Sequence, residues 1–229
     1  MRKLESKTQK AINDFNLIED GDKIAIGLSG GKDSLILLKI LSNLKKYYKK
    51  KFEIIAVSVD ISNGKLDFSN IKEFCEKIQV PFYIANSDIQ NIVFNIRNEK
   101  NPCSLCANLR RGILNSKAKE LGCNKVALAH HYDDLIETFF LNMLFEGRLS
   151  TFKPKTYLSR VEIEVIRPLI YISEKEIILF SKDLPILKNP CPANHKTQRE
   201  KMKSLIFEME KFQPEIKKRI FNIIKNSIF

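Results

Sequence analysis

The chain has 229 residues, with 39 Lys and Arg against 27 Asp and Glu for a formal charge of +12, and 44% hydrophobic residues without a single Trp. That length suits one α/β domain with an appended helical piece, and the apolar fraction is enough for a packed core. No apolar run is long enough to span a bilayer and the opening MRKLESKTQK lacks the apolar stretch of a secretory signal, so the expectation is a cytoplasmic protein with no membrane contact. The excess of Lys and Arg points to a polyanionic partner, because each phosphate they neutralise releases a counterion; a lysine-rich proteome would explain the charge as well. Five cysteines without a signal sequence argue against a disulfide framework and for thiolate or metal chemistry wherever they cluster.

Residues 1–20 carry a helical pattern in which Arg2, Lys3, Lys7 and Lys10 precede a partial apolar face of Ala11, Ile12, Phe15 and Leu17. Lys23–Leu28 reads as a short buried strand, 29–34 as a glycine-bearing turn and Leu35–Leu44 as a helix. In that turn Gly30 and Gly31 allow several backbone N–H groups to converge on one anion at a helix N-terminus. Ser29 and Ser34 add hydroxyls, Lys32 a full charge, and Asp33 a carboxylate able to hold Mg2+ against a pyrophosphate. A tight turn alone would account for the glycines but not for these four neighbours. It is not a Walker A loop, which would need Gly where Ile26 stands and Ser or Thr where Asp33 stands. SGGKDS instead resembles the pyrophosphate loop (PP-loop) of the N-type ATP pyrophosphatases, which split ATP into AMP and pyrophosphate.

A lysine run at 45, 46 and 49–51 marks the exposed end of the following helix, and Phe52–Val59 forms a second strand. Asp60, just beyond it, is a candidate adenosine contact at the carboxyl end of the sheet, or an ordinary turn residue. Ile71–Ile78 is a helix with Cys75 in its apolar pattern, and Pro81–Ala85 a third strand. NPCSLC at 101–106 breaks the pattern before a basic helix over Leu109–Leu121; Cys123 is structural, and a strand over Val126–Ala129 ends in HHYDDLIETFFLNML. From Phe145 onward come short basic loops, one strand near Val161–Ile166, and helices from Ser173 and from Thr197 to the end. The alternation predicts an α/β fold with a doubly wound, mostly parallel sheet and added N-terminal and C-terminal helices: a helical segment 1–20, an α/β domain 21–170 and a helical region 171–229.

Two further clusters carry chemistry. His130, His131, Asp133, Asp134, Glu137 and Thr138 lie on a strand-to-helix junction, where 134, 137 and 138 share a helical face. An N-cap with a capping box is the structural alternative, worth about 1 kcal/mol. Cys103 and Cys106, with Cys191 far along the chain in NPCPANH, have three readings: a redox pair, an iron–sulfur site, or a closed zinc set completed by His195.

NLIEDGDKIAIGLSGGKDS, CSLCANLRRGIL, ALAHHYDDLIETFFLNMLFEGRL and IRPLIYISEKEI, in this order, resemble the TtcA family of tRNA 2-thiocytidine synthetases over nearly the whole chain. The resemblance implies an adenine-nucleotide alpha hydrolase-like PP-loop domain at 21–170, with 171–229 contributing Cys191. Ser29 to Ser34, Asp60, His130, His131 and Asp133 would bind ATP with Mg2+ on Asp33, and Lys32, Asp33 and Asp134 would be catalytic. Cys103, Cys106 and Cys191 would hold a 4Fe–4S cluster whose fourth iron binds the transferred sulfur. ATP would attach AMP to the C2 oxygen of a cytidine in the tRNA anticodon loop, and sulfur would displace it. Arg110 and Arg111, together with Arg148, Lys153, Lys155 and Arg160 in the basic loops, are candidate tRNA contacts. The expected partners are tRNA and a sulfur donor, either a cysteine desulfurase or free sulfide, with a homodimer as the assembly. One departure stands out: the family commonly has PCxxC where this chain has PCPAN. Two other functions compete: a lysidine synthetase-like enzyme that uses an amine nucleophile, and a tRNA- or nucleotide-binding module with a structural Cys3His zinc.

Overall fold

A computed structural model describes residues 1–97, 102–187 and 198–229. Six strands, β1 (Asp22–Leu28), β2 (Phe52–Asp60), β3 (Phe82–Asn86), β4 (Lys125–Ala127), β5 (Lys155–Leu158) and β6 (Ile163–Ile166), form one sheet in the order β3-β2-β1-β4-β6-β5. All neighbouring pairs are parallel except β5 with β6. Parallel strands must be covered on both faces, and the apolar residues alternate accordingly. Ile24, Ile26 and Leu28 of β1 face one core with Ile54 and Ala56 of β2; Ala25, Ile55, Val57 and Val59 face the other.

The first core is built with α1 (Arg2–Asp14), α2 (Lys32–Tyr47), α3 (Ser69–Lys77), α6 (Tyr132–Glu146), α7 (Glu174–Phe180), α8 (Gln198–Phe212) and α9 (Ile216–Ser227). The second is closed by the short α4 (Ile89–Asn91), which runs into a π-helical turn at Ile92–Ile96, and by α5 (Pro102–Glu120). Gly27 is needed for this closeness, since a Cβ there would lie 2.7 Å from Leu114 Cδ2 of α5. At the amino ends of the strands, buried Lys125 is ion-paired to Asp22 at 2.9 Å and Glu164 at 3.0 Å, which ties β1, β4 and β6 together.

Two elements differ from the sequence expectation. CSLC does not break a helix; it lies in the first turns of α5, which starts at Pro102, where a missing N–H and a fixed φ suit a first helical position. The basic stretch after α6 contains the edge strand β5, whose short alternation gives too weak a periodic signal to stand out among Lys and Thr. The strand order reverses between β1 and β4, so the loops after these two strands diverge and leave a crevice at their carboxyl ends.

Candidate active site

The first wall of the crevice is the turn between β1 and α2. Gly30 has φ +80° and Gly31 caps α2 in an extended conformation, so the chain bends sharply and leaves the first amides of α2 without helical partners. Ser29 Oγ accepts the Gly31 N–H at 3.3 Å and Ser34 Oγ donates to the Gly31 carbonyl at 2.9 Å, which fixes the loop. Lys32 Nζ lies 3.0 Å from Glu174 Oε1 and 3.3 Å from the Asp33 carboxylate. Burial opposes the Lys32 charge, but these two carboxylates outweigh it and raise the pKa. Asp33 Oδ1 is buried and accepts no hydrogen bond, with the Lys32 ammonium at 3.3 Å as its ion-pair partner, so it keeps acceptor capacity that a metal cation could use.

The second wall is the start of α6. His131 is its N-cap: Nδ1 accepts the Asp134 N–H at 3.4 Å while the His131 N–H donates to Asp134 Oδ2 at 3.0 Å. With Nδ1 accepting, the ring proton sits on Nε2, 3.4 Å from Asp134 Oδ2 and 3.9 Å from Asp33 Oδ1. Asp133 accepts the Glu174 N–H at 2.7 Å and pairs with Lys217 at 3.0 Å, binding α6 to α7 and α9. Asp134 Oδ1 accepts from Arg199 at 2.6 Å. His130 packs against the Phe152 ring at 4.9 Å, and burial followed by the Arg167 charge pulls its pKa down to about 4, so the imidazole is neutral at pH 7.

Between the walls lies a cavity of about 500 Å3. Its lining combines apolar Val57, Val59, Leu114 and Leu128 with four cations, Arg110, Arg111, Arg167 and Arg199. Ser29 of the loop and Ala107, Arg110, Arg111 and Leu114 of α5 line the same space. Cys103 lies one turn before Ala107 on that stripe and Cys106 one turn before Arg110. Cys103 is exposed and Cys106 half-buried.

A model of the PP-loop domain matches residues 1–206 of the chain. Two relatives named tRNA-cytidine(32) 2-sulfurtransferase cover nearly all of it: one from Aliivibrio fischeri (strain MJ11) is 41% identical, spanning 99% of this chain and 75% of its own length. The other, from Geobacter sulfurreducens, is 37% identical over 98% and 90% respectively. The chain belongs to the tRNA-cytidine 2-sulfurtransferase family of PP-loop proteins. A solved structure of the U34-tRNA thiolase NcsA from Methanococcus maripaludis with its 4Fe–4S cluster aligns with a TM-score of 0.79 at 26% identity, covering all of this chain and 79% of that one. An NH3-dependent NAD synthetase from Campylobacter jejuni shares the fold alone, with a TM-score of 0.50 at 16% identity over 98% of this chain and 91% of that one.

Of the residues singled out in the sequence, Ser29 and His130 line the cavity and His131 Nε2 lies 3.9 Å from Asp33 and 3.4 Å from Asp134, whereas Asp133 is turned to Glu174 and Lys217. Arg110 and Arg111 line the cavity. Cys191 and His195 lie outside the described residues, among which no group of three or more His, Cys, Asp or Glu side chains is arranged to hold a metal. Cys103 and Cys106 nonetheless fit part of a cluster site: they are neighbours at i and i+3 in the first turns of one helix, beside the cavity.

Three expectations are corrected. Asp60 ends β2, but Oδ1 accepts from the Ser62 N–H and Oγ at 2.8 and 2.6 Å and Oδ2 from the Gly64 N–H at 2.7 Å, so its carboxylate holds its own turn rather than a ligand. Lys155 sits on β5 and pairs with Glu164 at 3.2 Å and Glu19 at 3.6 Å, an intramolecular tie. Arg160 is exposed in the turn from β5 to β6; because β6 runs parallel to β4 and β1, that turn is at the end of the sheet opposite the PP-loop. Arg148, beyond the end of α6, is exposed and paired with Glu146, and Lys153 is exposed while its carbonyl accepts from Arg167 at 2.6 Å. Glu174, Arg167, Arg199 and Phe152 escaped the sequence reading. Only Arg167 left a signal, a lone charge in the apolar run VIRPLIYI.

Proposed function

We propose that the cavity is the reaction chamber of an ATP-dependent tRNA thiolation that replaces the C2 oxygen of a cytidine in the anticodon loop with sulfur. One observation carries this reading: the helix bearing Cys103 and Cys106 and the PP-loop line a single space, so a nucleotide activated at one wall lies across from the helix that carries the thiols one turn before its lining residues. The PP-loop amides and Lys32 hold the departing pyrophosphate, and Asp33 would hold Mg2+ against it through Oδ1, which accepts no hydrogen bond. The apolar lining of Val57, Val59, Leu114 and Leu128 takes the adenosine. The cytosine O2 attacks the α-phosphorus, pyrophosphate leaves, an incoming sulfur nucleophile adds at C2, and AMP departs with the former O2. When bound by Cys103, Cys106 and Cys191, a 4Fe–4S cluster supplies an iron with a position open to exogenous sulfur.

In this reading residues 21–170 perform the adenylation and 171–229 bring the third cysteine, after a helical segment at 1–20. The basic lining of the cavity admits the unstacked nucleotide, whose extrusion costs a few kcal/mol that phosphate contacts offset. A cysteine desulfurase or free sulfide donates the sulfur, and the protein works as a homodimer in the cytoplasm; among the described residues no helix is long and apolar enough to cross a membrane.

The test begins with iron, acid-labile sulfide and zinc content after purification without oxygen. About four irons with matching sulfide per chain support the reading. Stoichiometric zinc without iron would favour the lysidine synthetase-like or binding-module alternatives. Asp33→Ala is expected to abolish tRNA-dependent pyrophosphate release, and persistence of that release would refute the loop assignment.

A further inference from the structure

Arg167 directly follows β6 and lines the cavity. Only 9% of it is exposed. Nη1 donates to the Lys153 carbonyl at 2.6 Å and lies 3.4 Å from Thr156 Oγ1, and the guanidinium carbon lies 5.1 Å from the centre of the Phe152 ring. These contacts fix the plane of the cation without neutralising it. Its Nε has no hydrogen-bond partner, and among the described residues no Asp or Glu lies within ion-pair distance.

A buried guanidinium with no counter-charge is costly, and the neighbouring Arg111 makes it costlier. Burial and then the Arg111 charge pull its pKa down to about 10, which still leaves it cationic at pH 7. Packed against the same aromatic ring, His130 also has a buried nitrogen, Nδ1, without a hydrogen-bond partner. Both residues line one cavity. A purely structural arginine in this position would be expected to face a carboxylate.

We propose that Arg167 is the phosphate anchor of this cavity, its guanidinium donating to a nonbridging oxygen of a nucleotide phosphate. The inference rests on the thiolase reading given above and adds a residue to it. The phosphate has two possible sources, the α-phosphate of ATP that persists on the adenylated base, or the tRNA phosphodiester beside the extruded nucleotide. In the first case the contact is to the reacting phosphorus group and Arg167 stabilises negative charge as pyrophosphate and then AMP leave. In the second it fixes the position of the base.

The experiment uses the full chain purified without oxygen, as wild type, Arg167→Met and Arg167→Lys. Melting temperature is measured without ligand, affinity for AMP and for an α,β-methylene ATP analogue by calorimetry, and tRNA affinity by filter binding at one salt concentration. Because Met removes an uncompensated charge while keeping bulk, Arg167→Met should melt at or above the wild-type temperature yet lose about 10- to 100-fold in affinity. Loss for the nucleotides identifies the α-phosphate, loss for tRNA the phosphodiester, and either supports the anchor. Arg167→Lys, which keeps the charge but not the fork, should fall between the two. Unchanged affinity for both ligands overturns the inference, as does a lowered melting temperature with every affinity lost together, which would mark a structural arginine. If the wild type itself neither binds nucleotide nor releases pyrophosphate with tRNA, the failure lies in the thiolase reading.

Discussion

Replacing Glu174 by Gln tests how the PP-loop lysine is held before nucleotide arrives. Glu174 Oε1 lies 3.0 Å from Lys32 and Oε2 3.0 Å from Lys203, so one carboxylate joins the loop to α8. Burial opposes its ionisation, but the bonds from Lys32 and Lys203 outweigh that and hold the pKa down to about 2 against an ordinary 4.5. The difference amounts to about 3 kcal/mol at 1.36 kcal/mol per unit, and with the side chain 26% exposed, solvent screening brings it to roughly 2 kcal/mol. A depressed acid stabilises fully above its unfolded pKa and loses that contribution as pH falls through the folded one. Glu174→Gln should therefore melt about 4–8 °C lower than wild type at pH 7, with the gap closing between pH 4.5 and 2. Nucleotide binding should move the other way. A pyrophosphate must take Lys32 from Glu174, and removing a competitor worth about 1 kcal/mol should tighten ATP binding roughly fivefold. Calorimetry with the α,β-methylene analogue measures this directly. Lower stability with unchanged or weaker nucleotide affinity would refute the idea that Glu174 occupies the place of a phosphate.

Three further outcomes are expected. Gly30→Ala places a Cβ at φ +80° and 2.9 Å from Leu187 Cδ1, so it should cost about 1–2 kcal/mol in melting experiments and abolish ATP binding; normal binding would show that the loop tolerates another shape. Cys103→Ala changes an exposed side chain, so stability should move by less than about 0.5 kcal/mol while iron content and tRNA thiolation disappear and tRNA-dependent pyrophosphate release continues. Glu137 is buried, and that burial, aided by the charge of Asp134, raises its pKa to about 7 despite Lys203 and Arg199. The folded state therefore binds its proton more tightly and stability falls as pH rises from about 4.5 to 7; Glu137→Gln should flatten that slope in melting curves at pH 5 and pH 8, and parallel curves would count against it.

The local order SGGKDS, flanked by a buried strand and an amphipathic helix, was enough by itself to determine a phosphate cradle, because its chemistry depends on backbone φ values and neighbouring side chains only a few residues apart. Strand–helix alternation likewise determined the parallel sheet, since β1, β2 and β3 each carry their apolar pattern within one short segment. The cluster from His130 to Asp134 was legible as a group, but its internal division of labour was not: only the fold makes His131 the N-cap, turns Asp133 toward Glu174 and Lys217, and gives Asp134 to Arg199. Asp60 shows the opposite limit, because its position at a strand end invites a ligand while three donors from residues two and four places on already claim it. Basic residues were the least readable. Lys155 and Arg160 look alike in sequence and Arg167 differs only in its apolar neighbours, yet strand direction sends Arg160 to the far end of the sheet, the edge strand pairs Lys155 with Glu164, and burial without a carboxylate leaves Arg167 charged inside the cavity. Charge is a property of the residue, whereas its neutralisation depends on groups brought together from distant parts of the chain, and only the tertiary structure decides that.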